Sequence, residues 1–500
     1  MGLRLYNTFT KSEENFKPLK EGHVSMYTCG PTVYGRPHIG NYSSFLMADL
    51  LRRWLEVGHG YTVTHVKNIT DVGHLVADGD DGEDKVEKQA RLESGSTDPR
   101  TMGAASRTMG AASRHVDHRG SADPLLVAKR YTDMYLEDEK ALNMIEPEHR
   151  PRASAYVKEM IEITKKLIEK GNAYETADGV YFAVESFPAY GRLSGNTLEK
   201  LDSGARISVD EAKRHPADFA LWKKCVGKNA SHILRWPSPW GEGFPGWHIE
   251  CSAMSSTLLG KEIDIHTGGE DNIFPHHECE IAQSECASGH RFVRLWLHKR
   301  RIDLAGEKMS KSLGNVLGIP DIVEKGYSPM DLRYLLLSVH YRTNLKFSFE
   351  NLDAARKSRL KILEWMTVVD TTMPTASTIS HGISESIHHF KEAMDSDLNT
   401  SGAIADIFSV MNLFYKNSGA GVLESELHEY AAFISMVRRT FGCFEPEALS
   451  IPSEIQSLLD KRMAARNNKN FSESDRLRDE IKKLGYEVRD EGKMQTVKKL

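Results

Sequence analysis

Long hydrophobic runs are absent from this 500-residue sequence: none approaches the roughly 20 apolar residues that a membrane-spanning helix requires. The N-terminus turns polar within a few residues, and it lacks both the apolar stretch of a secretion signal and the arginine- and serine-rich composition of a transit peptide. These absences argue against a membrane protein and favour the cytoplasm. Apolar residues make up 40% and charged residues 27%, which is typical of a folded globular chain, and the length predicts two to four domains.

Cysteine is scarce, and positive charge is not in excess. The six cysteines are scattered along the chain, so metal binding or simple burial of reduced thiols is expected rather than a disulfide framework. The net charge of -5 argues against broad coating of nucleic acid, which requires many more cations. Any nucleic-acid contact must therefore be local. Residues 461–500, with 12 Lys/Arg against 7 Asp/Glu, are one candidate, although a solvated helix surface explains the same charges.

The N-terminal part of the chain has the pattern of a parallel α/β sheet. Residues 22–30 predict a strand, residues 41–57 an amphipathic helix and residues 61–69 a second strand. Ligands of such sheets lie at the carboxyl ends of the strands, which is where Cys29 would stand. Residues 261–267 predict a further strand of the same sheet.

From Asn351 onward the pattern changes to long helical stretches, which predict an α-helical bundle followed by a small last unit. The predicted helices are 351–369, 385–417, 425–440 and 453–484, with a short strand at Tyr486–Arg489. We therefore expect an α/β protein in three parts. These are a Rossmann-like parallel-sheet domain at 1–340 with an insertion at about 94–245, the helical bundle at 341–450, and a small basic domain at 451–500.

A tandem repeat stands out within the expected insertion. The heptapeptide RTMGAAS occurs at 100–106 and again at 107–113, inside a segment rich in Gly, Ser and Ala at 94–122. Two copies do not make a solenoid. We interpret the segment as a surface insertion, with a functional lid as the alternative.

A first candidate motif lies between the first strand and the first helix, where the chain reads CGPTVYGRPHIGN. The start of a helix offers unpaired N–H groups and a partial positive charge to a nucleotide phosphate. His38 adds a hydrogen-bond donor, and Gly40 has no Cβ to keep an adenine ring away. Taken alone, the same residues also fit a simple capped turn.

A second candidate motif is KMSKSLGN, which begins at Lys308. Lys308 and Lys311, with hydroxyl side chains beside them, can reach the phosphates of ATP and neutralise the charge that develops as pyrophosphate leaves. A solvated basic loop is the alternative. The two motifs in this order, far apart in the chain, are hard to attribute to chance.

The two motifs together resemble those of class I aminoacyl-tRNA synthetases, in which a HIGH-type and a KMSKS-type motif flank a Rossmann-like ATP site. Further segments narrow the resemblance to cysteinyl-tRNA synthetases. These segments are CGPTVY, NITD at 68–71, GWHIECSAM at 246–254, DIHTGGEDNIFPHHECEIAQSE at 264–285 and KMSKSLGN at 308–315. The resemblance covers the chain from its first strand into the helical C-terminal part.

The resemblance implies ATP-dependent activation of L-cysteine and its transfer to the 3′ end of tRNA(Cys). His38, Asn41, Lys308 and Lys311 are then the expected catalytic residues. ATP, accompanied by Mg²⁺, is expected to bind His38, Gly40 and Lys311. We further expect a monomer, with the helical bundle binding tRNA and the last domain lying near the anticodon.

A third cluster concerns the choice of amino acid. His276 and Glu280 are four residues apart after Pro275, so on a helix both side chains can reach one metal ion. The resemblance adds Cys29 and Cys251, because these positions match the family's zinc ligands. Two sulfurs, one nitrogen and one oxygen suit a single Zn²⁺ per chain. A weakly held Glu280 would let the metal also accept the substrate's thiolate.

The remaining expected substrate contacts come from the same segments. Trp247 is expected to form a wall of the amino-acid pocket, while Thr70, His266 and Asp271 are expected to orient the ammonium and carboxylate groups of cysteine. Ordinary core packing or strand capping explains these residues equally well. His277 could compete with its neighbour for the metal, but it does not match the family's ligand position.

Three departures limit the resemblance. Asn41 replaces the second histidine of the HIGH motif, the tandem repeat has no counterpart in the family, and the C-terminus GKMQTVKKL lacks the tryptophan often found there. An aliphatic Val497 cannot stack on a base as an aromatic ring does.

Three other functions remain open. The nearest is a ligase that activates cysteine but passes it to an amino sugar; such enzymes resemble the catalytic part without the RNA-binding end. A zinc hydrolase using Glu278 as base would leave both nucleotide motifs unexplained. A non-catalytic RNA-binding descendant would leave His38, both loop lysines and the metal ligands without a role.

Overall fold

The structure is a computed structural model that describes most of the chain. The described residues are 2–75, 82–95, 123–200, 213–304, 307–308, 316–374, 383–418, 422–445, 453–468, 470–491 and 494–499. They form two compact units, residues 1–444 and residues 445–500. Most of the repeat-containing segment, and Lys311, lie outside the described residues.

Strands occur in both units and are numbered in chain order. They are β1 (Arg4–Asn7), β2 (Ser12–Asn15), β3 (His23–Thr28), β4 (Thr62–Lys67), β5 (Ala173–Glu175), β6 (Gly179–Phe182), β7 (Phe219–Lys224), β8 (Gly243–Pro245), β9 (Ile263–Gly269), β10 (Val293–Lys299), β11 (Ile302–Leu304), β12 (Glu307–Lys308), β13 (Leu345–Phe347), β14 (Tyr486–Glu491) and β15 (Met494–Lys499).

The helices are numbered in the same way. They are α1 (Ile39–His59), α2 (Lys85–Gly95), α3 (Pro124–Ala141), α4 (Val157–Glu169), α5 (Trp247–Leu259), α6 (Glu278–Ser288), α7 (Ile319–Glu324), α8 (Pro329–Ser338), α9 (Phe349–Thr371), α10 (Ser384–Asp395), α11 (Thr400–Ser418), α12 (Glu424–Phe441), α13 (Ser453–Asn467) and α14 (Phe471–Lys483). In the described part of the chain, no helix is both long and apolar enough to cross a membrane.

A four-stranded parallel sheet in the order β10-β9-β3-β4 forms the centre of the first unit. Its strands are rich in Val, Ile and Leu and buried along most of their length, because helices cover both faces. The predicted parallel α/β fold is confirmed. All four strands end at the same edge, and the loops beyond that edge carry the candidate site residues.

Helix α1 crosses this sheet directly after β3. It begins at Ile39, two residues earlier than predicted, because the ring of His38 caps it by accepting a hydrogen bond from the backbone N–H of Gly40 at 3.1 Å. The helix ends at His59 and is capped by Gly60, whose φ of 70° is the left-handed conformation typical of a helix terminus. It is buried on nearly all sides rather than on one face, since the sheet and the C-terminal helices enclose it.

The region inserted between β4 and β9 contains a second, antiparallel sheet in the order β5-β6-β7-β8. Its apolar side chains share a core with α4, α5 and α6, which places this sheet on the side of the central sheet that α5 covers. Strand β8 leads directly into α5. The inserted sheet therefore positions the start of the helix that carries Trp247 and Cys251.

The predicted helix 385–417 is wrong in one respect: it is interrupted between α10 and α11. Asp397 and Leu398 both have a φ of 54°, which a helix cannot contain. The interruption is stabilised by the carboxylate of Asp397, which accepts hydrogen bonds from the backbone of Tyr6 at 2.8 Å and from the hydroxyl of Tyr341 at 2.5 Å. Distant contacts thus override a continuous helical pattern.

The second unit, residues 445–500, has a small core of its own. The predicted helix 453–484 is in fact two helices, α13 and α14, followed by an antiparallel hairpin of β14 and β15, of which only the first strand was predicted. The guanidinium of Arg462 is buried and donates to both carboxylate oxygens of Asp490 at 2.9 Å. This ion pair connects α13 to the hairpin.

Candidate metal centre and active site

Four predicted metal ligands from four separate segments meet at the carboxyl edge of the central sheet. Cys29 follows β3, Cys251 lies in the second turn of α5, His276 lies in an irregular turn before α6, and Glu280 lies in the first turn of α6. All four are buried, and their ligand atoms lie within 4.8 Å of one another. The structure therefore brings the whole predicted quartet together.

The distances within the quartet fit one tetrahedral zinc ion. Zinc–sulfur bonds of about 2.3 Å at the tetrahedral angle place two sulfurs about 3.8 Å apart. The Sγ atoms of Cys29 and Cys251 are 3.8 Å apart. The Sγ of Cys29 lies 3.7 Å from Oε1 of Glu280, and Nε2 of His276 lies 3.0 Å from the same oxygen.

The charges within the quartet stabilise one another. Burial raises the pKa of the Cys251 thiol, but the hydrogen bond with Cys29 and the charge of His276 outweigh it and lower that pKa to about 6. Burial likewise opposes ionisation of Glu280, yet neighbouring histidines, His266 and His276, hold its pKa at about 2. Burial opposes protonation of His276, but Glu280 and Cys251 raise its pKa to about 10, so this histidine supplies the positive charge that a buried thiolate and carboxylate need, a place that a bound metal ion would take.

A second set of potential ligands overlaps the first. Cys29, His266, His277 and Glu280 also place their ligand atoms within 4.8 Å of one another. We favour the first set because it contains both sulfurs, which zinc prefers. The Nε2 of His277 lies 3.3 Å from the Sγ of Cys29, within hydrogen-bond distance of that sulfur.

Further side chains orient the ligands. The Nδ1 of His276 lies 3.0 Å from the Nδ1 of His248, so a bond between them leaves Nε2 of His276 facing the metal position. The other carboxylate oxygen of Glu280, Oε2, lies 3.1 Å from the Nε2 of His266. His266 is fully buried and stacks on Trp296, so in this structure it supports Glu280.

The expected ATP-binding residues lie at the start of α1. His38 and Asn41 form a reciprocal cap, in which the backbone N–H of His38 donates to Oδ1 of Asn41 at 3.1 Å. A Cβ on Gly40 would meet the ring of His38 at 2.8 Å, so the absence of a side chain lets this ring fold over the helix start. The backbone of Lys308 lies in β12, which pairs with β11.

The other expected substrate residues are differently placed. Thr70 is buried, and its backbone N–H donates to the carbonyl of Pro31 at 3.1 Å. Pro31 stands two residues after Cys29. Trp247 is half-buried at the start of α5 and stacks on the ring of His276, with 4.4 Å between ring centroids. Asp271 lies exposed in a short turn after β9, so it is the least enclosed of the set.

Sequence reasoning missed three histidines of this site. His248 contacts the metal ligand His276, His298 lies 2.7 Å from His277, and His74 stacks on Trp247. The motif GWHIEC offered a signal for His248, since it stands three residues before Cys251. Nothing in the sequence pointed to His74 or His298, because each comes from a different loop.

Comparison with known proteins agrees with this geometry. Residues 15–357 match the family model of the tRNA synthetases class I (C) catalytic domain. Residues 389–445 match the DALR domain, and residues 450–497 match the cysteinyl-tRNA ligase anticodon binding domain. A cysteine–tRNA ligase of Thermus thermophilus is 40% identical over 98% of both chains. The chain belongs to the cysteine–tRNA ligase family. Another family member, from Chlorobium chlorochromatii, is 39% identical over 100% of both chains.

Solved structures of other synthetases share the fold of this family member. A methionyl-tRNA synthetase of Mycobacterium tuberculosis, solved with methionyl-adenylate, aligns with a TM-score of 0.58 at 14% identity, covering 87% of this chain and 94% of its own. A leucyl-tRNA synthetase of Agrobacterium radiobacter gives a TM-score of 0.58 at 12% identity, covering 86% and 85%. At such identities the likeness establishes the class I fold.

Proposed function

We propose that this chain is a cysteine–tRNA ligase whose buried quartet of Cys29, Cys251, His276 and Glu280 holds one Zn²⁺ that selects cysteine. The observation that carries the proposal is the convergence of these four side chains at distances that suit tetrahedral zinc. Family membership supports the reaction class. When bound, zinc would supply an affinity for a thiolate sulfur that it lacks for the hydroxyl of serine.

The proposed reaction has two steps. In the first, the carboxylate of cysteine attacks the α-phosphorus of ATP, and pyrophosphate leaves. In the second, a ribose hydroxyl at the 3′ end of tRNA takes the cysteinyl group, and AMP leaves. Displacement at phosphorus depends mainly on positioning and charge stabilisation, so the protein needs no covalent intermediate.

The residues of this chain divide the work between the two substrates. At the start of α1, the ring of His38 would bind phosphate, while Asn41 caps the helix by accepting a hydrogen bond from the backbone N–H of His38. The expected unpaired N–H groups are not available in this structure, because those of Ile39, Gly40 and Asn41 already donate to acceptors within the protein. Lys308 and Lys311 would neutralise the leaving pyrophosphate, and a Mg²⁺ bound with ATP would supply further positive charge. In the amino-acid part of the site, the proposed contacts or supports of the bound cysteine are Thr70, Trp247, His266 and Asp271.

Glu280 is the ligand proposed to yield to the substrate. Its second carboxylate oxygen, Oε2, lies 3.1 Å from Nε2 of His266, so the carboxylate keeps a hydrogen-bond partner when it moves away from a metal. A polar or metal partner can discriminate a substrate with a thiol from one with a hydroxyl by a factor of about 10⁴–10⁵ in reaction efficiency. Apolar contacts alone discriminate similar substrates by roughly a hundredfold. A separate editing domain is therefore unnecessary in this proposal.

The decisive experiment is cysteine-dependent exchange between ATP and pyrophosphate, followed by charging of tRNA(Cys). We expect exchange with cysteine, several orders of magnitude less with serine, and loss of cysteine selectivity when zinc is removed with a chelator and the protein remains folded. Restoring Zn²⁺ is the matched control. Absence of exchange under all conditions would contradict the proposal.

A ligase that passes cysteine to an amino sugar is the second candidate. It predicts the same exchange but no charging of tRNA, so the second half of the experiment distinguishes the two. The unit at residues 445–500, which has its own core and matches the cysteinyl-tRNA ligase anticodon binding domain over residues 450–497, favours tRNA, since an enzyme that acts on a small sugar has no use for it.

Three further features belong to the proposal. We propose that the domains divide at about residues 340 and 450, that the enzyme is a monomer, and that it works in the cytoplasm. Light scattering during gel filtration tests the oligomeric state. The role of the repeat-containing segment at 94–122 is tested by deleting it and measuring charging, which we expect to persist.

A further inference from the structure

Three rings form a continuous stack that ends at the metal centre. The imidazole of His74 lies against one face of Trp247 at 3.8 Å between centroids, with an interplanar angle of 9°. The other face of Trp247 lies against His276 at 4.4 Å and 24°. The indole is therefore held between two imidazoles, one of which belongs to the proposed zinc quartet.

Two hydrogen bonds fix the ring of His74 in this stack. Its Nε2 lies 2.7 Å from the Nζ of Lys85, and its Nδ1 lies 2.7 Å from the Oγ1 of Thr32. An ammonium group can only donate, so Nε2 accepts from Lys85, and Nδ1 carries the proton that is donated to Thr32. With both ring nitrogens engaged, the ring cannot rotate without losing a hydrogen bond.

The anchors of His74 belong to the substrate side of the site. Thr32 stands three residues after Cys29, and its backbone forms an isolated β-bridge with that of Thr70. The preceding residue, Gly73, has a φ of 79°, and a Cβ there would lie 2.6 Å from Oε1 of Glu250. The loop that presents His74 is therefore packed closely against α5, the helix that carries Trp247.

This arrangement determines which part of Trp247 is available to a substrate. Because both faces are covered, only the edge of the indole remains to contact an amino acid in the pocket. Each stacked pair favours one orientation of the two rings over others. The plane of Trp247 in turn limits the orientation of His276, whose Nε2 must point at the metal.

We propose that His74 is a positioning residue for cysteine binding, which holds Trp247 against His276 and thereby shapes the pocket around the substrate's side chain. The proposal rests on the proposed function, because it concerns the affinity and selectivity for cysteine. His74 makes no contact with the reacting atoms. Its loss therefore weakens binding of cysteine and leaves the chemical step intact.

The test is steady-state pyrophosphate exchange by the zinc-loaded full-length protein and its variants. In His74→Ala we expect the KM for cysteine to rise about three- to tenfold, as the loss of one stacked pair implies, while kcat changes less than twofold. The preference for cysteine over serine falls by a similar factor. In His74→Phe, which keeps a flat ring but loses both hydrogen bonds, the KM returns most of the way to the wild-type value.

The exposed His388 of α10 provides a matched control, and His388→Ala should leave both constants unchanged. An unchanged KM for cysteine in folded His74→Ala overturns the proposal, and so does a His74→Phe variant no better than His74→Ala. If His74→Ala does not fold, Thr32→Val takes its place. This variant removes the acceptor for the Nδ1 proton, a raised KM is expected, and an unchanged KM overturns the proposal.

A second readout separates this proposal from the proposed function. If the wild-type protein gives no exchange with cysteine, the proposed function fails, and the proteins are then compared with Co²⁺ in place of zinc. A shift of the visible absorption bands in His74→Ala, but not in His388→Ala, supports positioning of His276 by the stack. Identical spectra in all three proteins overturn it.

Discussion

At the scale of single residues, buried ionisable groups distinguish the functional site from the rest of the core. Cys251 and Glu280 are both held in their charged forms by neighbours, although burial opposes this. Such a combination is costly in an ordinary core and is common where a cation binds. The neighbouring histidines supply the hydrogen bonds that keep each ligand in one orientation.

The substitution Cys251→Ser tests the quartet directly. It replaces a thiolate by a hydroxyl that is a much weaker zinc ligand, so we expect bound zinc to fall well below one per chain and cysteine-dependent exchange to fall at least about tenfold. Metal content is measured by mass spectrometry after dialysis. Cys286→Ser, a half-buried cysteine outside the quartet, is the control and should keep its zinc. Equal zinc content in the two variants would refute the assignment.

Lys299 is a buried cation of a different kind. It lines a small cavity with Ser43 and Thr400, and within the described residues its Nζ has no hydrogen-bond partner. Burial lowers its pKa to about 8 from an ordinary value of 10.5, only partly opposed by Glu270. The folded-state value is the lower one, so the unfolded chain binds more protons between these values. The free energy of unfolding therefore rises with pH across that window.

The substitution Lys299→Met should remove this pH dependence. We expect the variant to be more stable than the wild type near pH 7, by at most about 3 kcal/mol, which is the free energy that the shift in pKa represents. The advantage should disappear near pH 10.5. Urea unfolding at several pH values measures both effects, with the exposed Lys357→Met as control. A variant that is less stable than the wild type at pH 7 would contradict this account.

At the scale of elements, a buried arginine joins parts of the chain that are distant in sequence. Arg333 in α8 donates to Asp49 of α1 at 2.5 Å, to the carbonyl of Phe441 at 2.6 Å and to that of Leu142 at 2.8 Å. Arg333 and a neighbouring arginine, Arg53, outweigh the effect of burial and lower the pKa of Asp49 to about 2. The helical bundle is thus tied to the helix that begins at the nucleotide motif.

We predict that Arg333→Met destabilises the protein by about 3–5 kcal/mol, because it leaves a buried carboxylate and two carbonyls with fewer donors. The stability contributed by Asp49 is present above its unfolded pKa and is lost as the pH falls through about 2. The wild type should therefore lose its advantage over the variant in strong acid. Urea unfolding at neutral and acidic pH measures this.

A matched control is Arg294→Met, which breaks an exposed ion pair with Glu262 and should cost at most about 1 kcal/mol. An equal effect of the two substitutions at neutral pH would show that Arg333 contributes no more than a surface charge.

At the scale of the whole molecule, the chain separates activation of the amino acid from the unit at its C-terminus. Residues 1–444 hold the metal centre and the nucleotide motif within one compact unit, while residues 445–500 form another. A chain that ends after Phe444 should therefore keep cysteine-dependent exchange within about threefold of the full-length value.

The same truncated chain should charge tRNA(Cys) at least about tenfold more slowly, because it loses the domain that matches the anticodon binding domain and the lysines and arginines of residues 461–500, which are candidate phosphate contacts. Exchange and charging are measured on one preparation, so exchange controls for folding. Charging at the full-length rate would show that the C-terminal unit is not needed for the proposed function. The unit would then no longer favour a tRNA ligase over the sugar ligase.

Much of the fold was predictable because local patterns carry it. The strand–helix–strand start was predicted to within a few residues, since alternating burial and helix caps are local signals. The breaks at Asp397 and near Asn468 were missed. At Asp397 the apolar spacing continues through the break, and contacts from distant residues, such as Tyr6, stabilise the interruption. The break near Asn468 lies in the polar run RNNKN at 466–470, a local signal that the prediction of one continuous helix passed over.

The sequence by itself determined the two nucleotide motifs, the family and half of the metal centre, because His276 and Glu280 lie one helical turn apart. Only the tertiary structure decided that Cys29 and Cys251, 222 residues apart, meet them at 3.8 Å from each other. It alone placed His74 on Trp247. The physical reason is that spacing along a chain reports neighbours within one element, whereas parallel strands bring the ends of separate elements to the same edge of a sheet.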